Sequence, residues 1–195
     1  MSISIYKPNS KCAGCAFNFS VSYQNGDKPP ALYINAIQQA TWDENKKVGS
    51  FSQNKENPDK NIAVKFNEFE VGSIISSLET RIEYSTLHVF DENKTSIKFS
   101  PWDKKQKVSS YDPQTKQFSD KQITVPAFGI NFTRNGNQTF KIPLEPGEVE
   151  VLKNFLKFIL NKANEHRFSN RKSYTPKTES KPAQQKSNFE EDAPF

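Results

Sequence analysis

The chain has 195 residues, 34% of them hydrophobic, and carries 27 Lys and Arg against 22 Asp and Glu, a formal net charge of +5. No apolar run is long enough to cross a membrane, and two cysteines cannot build a secreted disulfide framework. These figures point to one domain with a polar extension, in a reducing cytoplasm, and to an anionic partner.

Residues 1–14 read as an ordered lead-in or short arm. Cys12 and Cys15 form a lone CxxC pair. Zinc needs two more ligands, and the chain's two histidines, His88 and His166, are distant in sequence. The pair therefore reads as small residues that start a strand. From Ala16 to Gln24, Phe17, Phe19, Val21 and Tyr23 alternate with polar residues, the pattern of a strand with one wet face. Asn25-Gly26-Asp27 signals a turn, and Ala31 to Ile37 returns as a second strand. Asn54 to Lys60 is a charged loop.

Ile62, Val64 and Phe66 then alternate with Ala63 and Lys65. Asn67 sits where a helix cap belongs, with Glu70 three residues on in the position of a capping-box carboxylate. Val71, Ile74, Ile75 and Leu78 follow at helical spacing. The same design recurs at Gln138–Leu144, followed by Glu145-Pro146-Gly147-Glu148-Val149 and the stripe Leu152, Phe155, Leu156, Ile159 and Leu160. With Glu70-Val71 aligned on Glu148-Val149, Ile62 falls on Phe140, Val64 on Ile142 and Phe66 on Leu144. Two such units suggest a duplicated strand-to-helix architecture.

Between the units, Ile82 to Phe90 reads as a strand with Leu87 and Val89 toward the core and Tyr84, Thr86, His88 and Phe90 opposite. Lys94 to Ser100 is its partner, ended by Pro101. Residues 102–122 hold Trp102, Tyr111 and several lysines with almost no aliphatics, and read as a long, mobile, basic-aromatic loop. Ala127 to Thr133 is a strand, and Asn135-Gly136 is a strong hairpin signal. Residues 168–187 read as a disordered basic linker, rich in Ser, Lys, Pro and Gln. Residues 188–195 reverse the charge: two Phe bracket Glu190, Glu191 and Asp192.

There is no nucleophile motif, HExxH or glycine-rich phosphate loop, so no enzymatic role, cofactor or metal is expected. What stands out is aromatic and basic residues sharing polar positions. Tyr33, Trp42, Tyr84, His88, Phe90 and Trp102 lie among Lys46, Lys47, Lys94, Lys98, Lys104, Lys105 and Arg134. Aromatics that stack on bases, among cations that meet phosphates, suit a sequence-tolerant single-strand binder. The alternative is that the aromatics fill a buried face or an oligomer interface and the lysines are a solvated surface.

The acidic end, Glu190, Glu191, Asp192, Pro194 and Phe195 after a polar linker, resembles the tip of bacterial and phage single-stranded-DNA-binding proteins. That resemblance implies docking of the tip on replication or repair enzymes. The domain itself does not resemble their OB barrel. Val64 to Ile75, Leu87 to Asp91 before Lys94 to Lys98, Phe140 to Leu152 and, loosely, residues 32–47 are similar to the Whirly family of plant single-stranded-DNA-binding proteins. The similarity spans roughly residues 15–167, and the family's Lys-Gly-Lys-Ala-Ala-Leu motif has no counterpart. It implies an α+β fold of duplicated ββββα units, two antiparallel four-stranded sheets each followed by a helix. It also implies a homo-tetramer packed through helices. The function expected is to coat and protect single strands in replication, recombination or repair and to recruit partner enzymes. The alternatives are a transcriptional regulator on melted promoter DNA and an interaction protein with an acidic partner.

Overall fold

The computed structural model describes residues 1–23 and 28–171. The turn expected at Asn25-Gly26-Asp27, most of the linker and the acidic tip lie outside the described residues. In chain order the elements are β1 (Ser2–Lys7), β2 (Cys15–Ser22), β3 (Ala31–Gln38), a small hairpin of β4 (Thr41–Asp43) and β5 (Val48–Ser50), β6 (Asn61–Phe66) and α1 (Glu68–Thr80). Then come β7 (Tyr84–Phe90), β8 (Asn93–Asp112), β9 (Gln117–Arg134), β10 (Gln138–Leu144) and α2 (Pro146–Arg171). One antiparallel sheet has the order β1-β2-β3-β6 and the other β10-β9-β8-β7. Each is followed by a helix, so the α+β expectation holds, with the first unit interrupted by the β4–β5 hairpin. The lead-in is itself a strand: β1 pairs with β2 from Ser2↔Ser20 to Lys7↔Cys15.

Alternation decides which face of each strand is buried. Phe17, Phe19, Leu32, Ile34, Val64 and Phe66 of the first sheet meet Ile97, Phe99, Phe132, Phe140 and Ile142 of the second in one core. Phe132 lies where the sheets cross, its ring 5.4 Å from Phe17 and 6.1 Å from Phe66. Gln38 Nε2 donates to the Thr139 carbonyl at 2.9 Å and ties sheet to sheet. The stripes of α1 (Val71, Ile74, Ile75, Leu78) and α2 (Leu152, Phe155, Leu156, Ile159) join the same core. One chain therefore covers both stripes. A packing of protomers through their helices would therefore use other helix faces than these stripes.

The two helix starts are built alike. The Asn67 side chain accepts from Glu70 N at 3.0 Å, and Glu70 Oε2 accepts from Asn67 N at 2.9 Å. At α2, Glu148 Oε2 accepts from Glu145 N at 2.7 Å, again three residues back. Each carboxylate satisfies an N–H left free at a helix start and sits at the positive end of the dipole. The reading of Asn135-Gly136 as a hairpin turn also holds: both residues are at positive φ (51° and 75°), Asn137 N donates to Arg134 O at 3.3 Å, and Gln138 pairs with Arg134 so that three residues connect the strands. α2 continues to Arg171, four residues into the stretch assigned to the linker.

Two expectations fail. Residues 102–122 are not a loop. β8 and β9 stay paired from Thr95↔Arg134 to Asp112↔Gln117, a two-stranded arm that extends roughly 43 Å past Phe99 at about 3.3 Å per residue. Pro101 does not end the strand because β7 stops opposite Phe99, so β8 is already an edge there, where a missing N–H costs no ladder bond. The second failure is the face of β7. Leu87 and Val89 are 60% exposed, while Tyr84 and His88 turn inward. The register explains this: Tyr84 and Thr86 pair with the buried Phe99 and Ile97 and so share their face.

Candidate nucleic-acid interface

With the core fixed, the outer face of each sheet follows by alternation. On the second sheet Ser85, Lys98, Asn131 and Lys141 stand side by side across β7, β8, β9 and β10. The next row toward the arm holds Ser100, Gly129 and Pro143, and after it Trp102 beside Ala127. The segment 7–14 faces these rows across a cleft of about 550 Å³, lined by Lys7, Gly14, Trp102, Gly129, Asn131 and Lys141 among others.

Gln39, 5% exposed, holds that segment in place. Its Oε1 accepts from Asn9 N at 2.8 Å, and its Nε2 donates to the carbonyls of Asn9 (3.0 Å) and Thr41 (2.9 Å). Its backbone N donates to Gly14 O at 2.8 Å. Gly14 leaves no room for a side chain, since a Cβ there would lie 2.3 Å from the Lys7 carbonyl. The Asn9 carboxamide accepts from Lys11 N and Ala13 N, which closes the turn. Cys12 is exposed and Cys15 buried, both as free thiols, and burial pushes the Cys15 thiol up.

The residues singled out from sequence separate into three groups. Trp102, 42% exposed, stands at the mouth of the cleft, and Lys98 is on the same outer face, paired with Glu83 at 2.9 Å. Lys104 follows on that face, bonded to Glu145, whose carboxyl it holds below the usual range. Lys105 is exposed on the opposite face of the arm. The second group lies on other surfaces. Tyr33 is on the outer face of the first sheet, in a row with Ser20 and Lys65; the Lys65 ammonium lies 6.0 Å from the Tyr33 ring. Lys46 and Lys47 lie at the β4–β5 turn, where Lys47 pairs with Glu44 at 2.9 Å. Lys94 and Phe90 are exposed at the far end of the second sheet, where Lys94 N donates to Asn135 Oδ1 at 2.9 Å.

The third group is engaged in contacts within the fold. His88 Nε2 is 2.6 Å from Glu70 Oε1, beneath the α1 cap, with its ring 5.2 Å from Phe66. Tyr84 packs on Phe99, and burial, reinforced by the Glu70 charge, pushes its hydroxyl up. Arg134 donates to Gln138 Oε1 at 2.5 Å and to the Pro58 carbonyl, so its guanidinium fastens the loop before β6. Trp42 is half-buried in the β4–β5 hairpin, its Nε1 enclosed and without a hydrogen-bond partner among the described residues. Sequence reasoning missed Lys65, Lys141, Asn131, Gly129 and Gln39. Lys65 and Lys141 were legible as the outward members of alternating strands. The other three matter only through a strand register that links distant segments.

The architecture has known counterparts. The fold is shared with three solved plant structures. One is the plant transcriptional regulator PBF-2, at TM-score 0.51 and 15% identity over 90% of this chain and 88% of that one. The others are WHY3 and WHY1 from Arabidopsis thaliana, at TM-scores 0.52 and 0.53 and identities of 15% and 16%. Each covers 87% of this chain, with 92% of WHY3 and 89% of WHY1 matched. No family model and no curated protein matches the chain. Among the described residues no helix is long and apolar enough to cross a membrane.

Proposed function

We propose that the protein binds single-stranded DNA, laying the strand along the outer face of the second sheet and onto the arm. The observation that carries this is the conjunction of the exposed Trp102 indole at a cleft mouth with Lys141 in the same cleft and Lys98 two rows along the same face. The arm continues from there with Lys121 on the same face, Lys105 and Lys107 on the other and Lys116 at its turn, none of which makes an ion pair among the described residues. Indole stacking tolerates any base, and the ammonium groups supply the salt-dependent phosphate contacts. The fold shared with the plant proteins supports the reading.

Coating of single strands during replication, recombination or repair follows as the biological role. Glu190, Glu191, Asp192, Pro194 and Phe195 supply a recruiting tip for replication or repair enzymes. A pull-down should lose those partners on Phe195→Ala while DNA binding persists; unchanged partners would remove the recruiting role. Assembly as a homo-tetramer is part of the proposal. Its support is the exposed Leu87 and Val89 on the edge strand β7, not the helix stripes. Sedimentation of a monomer at micromolar concentration would sink that part alone.

A second reading, a regulator acting on melted promoter DNA, is favoured by one observation, the solved counterpart named as a transcriptional regulator. Equilibrium binding to single-stranded, duplex and bubble DNA of one sequence tests the proposal. Single strands should win, with affinity falling as salt rises at a slope of about −0.7 per phosphate neutralised. Trp102→Ala should weaken binding by the contribution of one stacked base, about 1–3 kcal/mol. Preference for intact duplex, or binding indifferent to salt, would overturn it.

A further inference from the structure

We infer that the cleft beside Trp102 is a nucleobase pocket, one per protomer, that draws a single unstacked base out of the bound strand. The inference rests on the single-strand reading and gives it a site. Its floor is bare: Gly129 places no side chain there, and a Cβ added to it would meet nothing nearer than Ser100 O and Oγ at 3.8 Å. The far wall, residues 7–14, is fixed before any ligand arrives, because Gln39 bonds both Asn9 and Gly14. A wall already in place spares the ligand the ordering cost of building one. The volume, about 550 Å³, is that of a small-molecule site.

The polar lining favours a base over an aliphatic side chain. Asn131 lines the cleft, and its Oδ1 is buried with no hydrogen-bond partner among the described residues. A carboxamide oxygen in that state is costly, and a turn of the amide that brings it to the cleft surface gives it a donor from a bound ligand. A carboxamide offers a donor and an acceptor side by side, and a turn about its last bond exchanges them. Every base edge carries such a pair, so Asn131 would accept any base but cannot be satisfied by an apolar side chain. Trp102 at the rim supplies the stacking face. Lys141 beside Asn131 makes no ion pair among the described residues and is placed for the phosphate next to the captured base, whereas Lys7 is held by Glu148 at 2.6 Å.

The test uses the full chain and two strands of equal length, oligodeoxycytidylate and the same backbone made of abasic spacers, with binding followed by fluorescence anisotropy. Gly129→Leu fills the floor and Asn131→Ala removes the carboxamide; Gly129→Ala is the control that fits the space. On the cytidylate strand Gly129→Leu should weaken binding about 5- to 150-fold, the range of one stacked base, and Asn131→Ala by less. Gly129→Ala should bind as the parent does. On the abasic strand all four proteins should bind equally, because nothing enters the pocket. Two results would overturn the inference while leaving the single-strand reading intact. One is a Gly129→Leu protein that binds cytidylate as well as the parent. The other is an equal loss on both strands, which would place the effect in the fold or the backbone path. A parent protein that binds neither strand removes the single-strand reading and the pocket together.

Discussion

Replacing residues 105–124 by an Asn-Gly turn should remove much of the salt dependence of single-strand binding while leaving the domain as stable as before. The join is geometrically sound because Lys104 and Val125 stand directly opposite one another, the spacing that a two-residue turn closes. The root of the arm survives the cut. Arg81 Nη2 still pairs with Asp103 at 2.9 Å and donates to the Trp102 carbonyl, and Lys104 still holds Glu145. What leaves is a ribbon outside the core, with Lys105, Lys107, Lys116 and Lys121 and the aromatic pair Tyr111 and Phe118, whose rings are 5.1 Å apart. If each of those four ammonium groups neutralises one phosphate, their removal flattens the slope of log affinity against log salt by about 2.8, and binding at low salt should fall by an order of magnitude or more. A two-stranded ribbon is marginal alone in water, so a ligand that covers it also orders it. An armless protein with the parent's salt slope would move the strand off the arm. One that changes its oligomeric state would make the arm a contact between copies.

That arm also shows where the sequence is legible and where it is not. The core strands and helix caps are readable because burial is one-sided: Phe66 must face in and Lys65 out, and Asn67 with Glu70 sits just where the period changes from two to 3.6. The arm has water on both sides, so no face demands aliphatics, and Val108, Ile123 and Val125 alone are too sparse to reveal a period. The same reason inverted β7. As an edge strand it has an apolar residue on each face, and alternation without register cannot say which face is core. His88 and Arg134 looked like nucleic-acid contacts because their partners, Glu70 and the Pro58 carbonyl, come from other segments. The basic and aromatic composition pointed to a chemistry of stacking and phosphate binding. Strand register then decided which of those residues share a surface.

Gln39→Leu should be among the most destabilising single changes on the surface-facing side of the first sheet, at about 3–5 kcal/mol. Leucine nearly matches the volume, so the loss is not a cavity. It strands Asn9 N, Asn9 O and Thr41 O, three backbone groups that one carboxamide now satisfies. Each group left without a partner costs about 1–3 kcal/mol, and relaxation of the exposed end of the segment recovers part of the total. Gln39→Glu separates chemistry from shape. A carboxylate still accepts from Asn9 N but points its other oxygen at two carbonyls, so it should be as harmful as leucine at neutral pH. Its deficit should shrink on acidification, because a protonated carboxyl regains one donor. Gly14→Ala reaches the same wall by another route, since its Cβ would collide with the Lys7 carbonyl and with Pro8 Cα at 2.8 Å. All three variants should loosen residues 7–14 and, with them, the cleft, so single-strand affinity should fall in step with stability. Urea denaturation gives the first quantity and anisotropy the second. A Gln39→Leu protein within about 1 kcal/mol of the parent would mean that water replaces the carboxamide at all three groups, and that the segment is held by its own Asn9 turn.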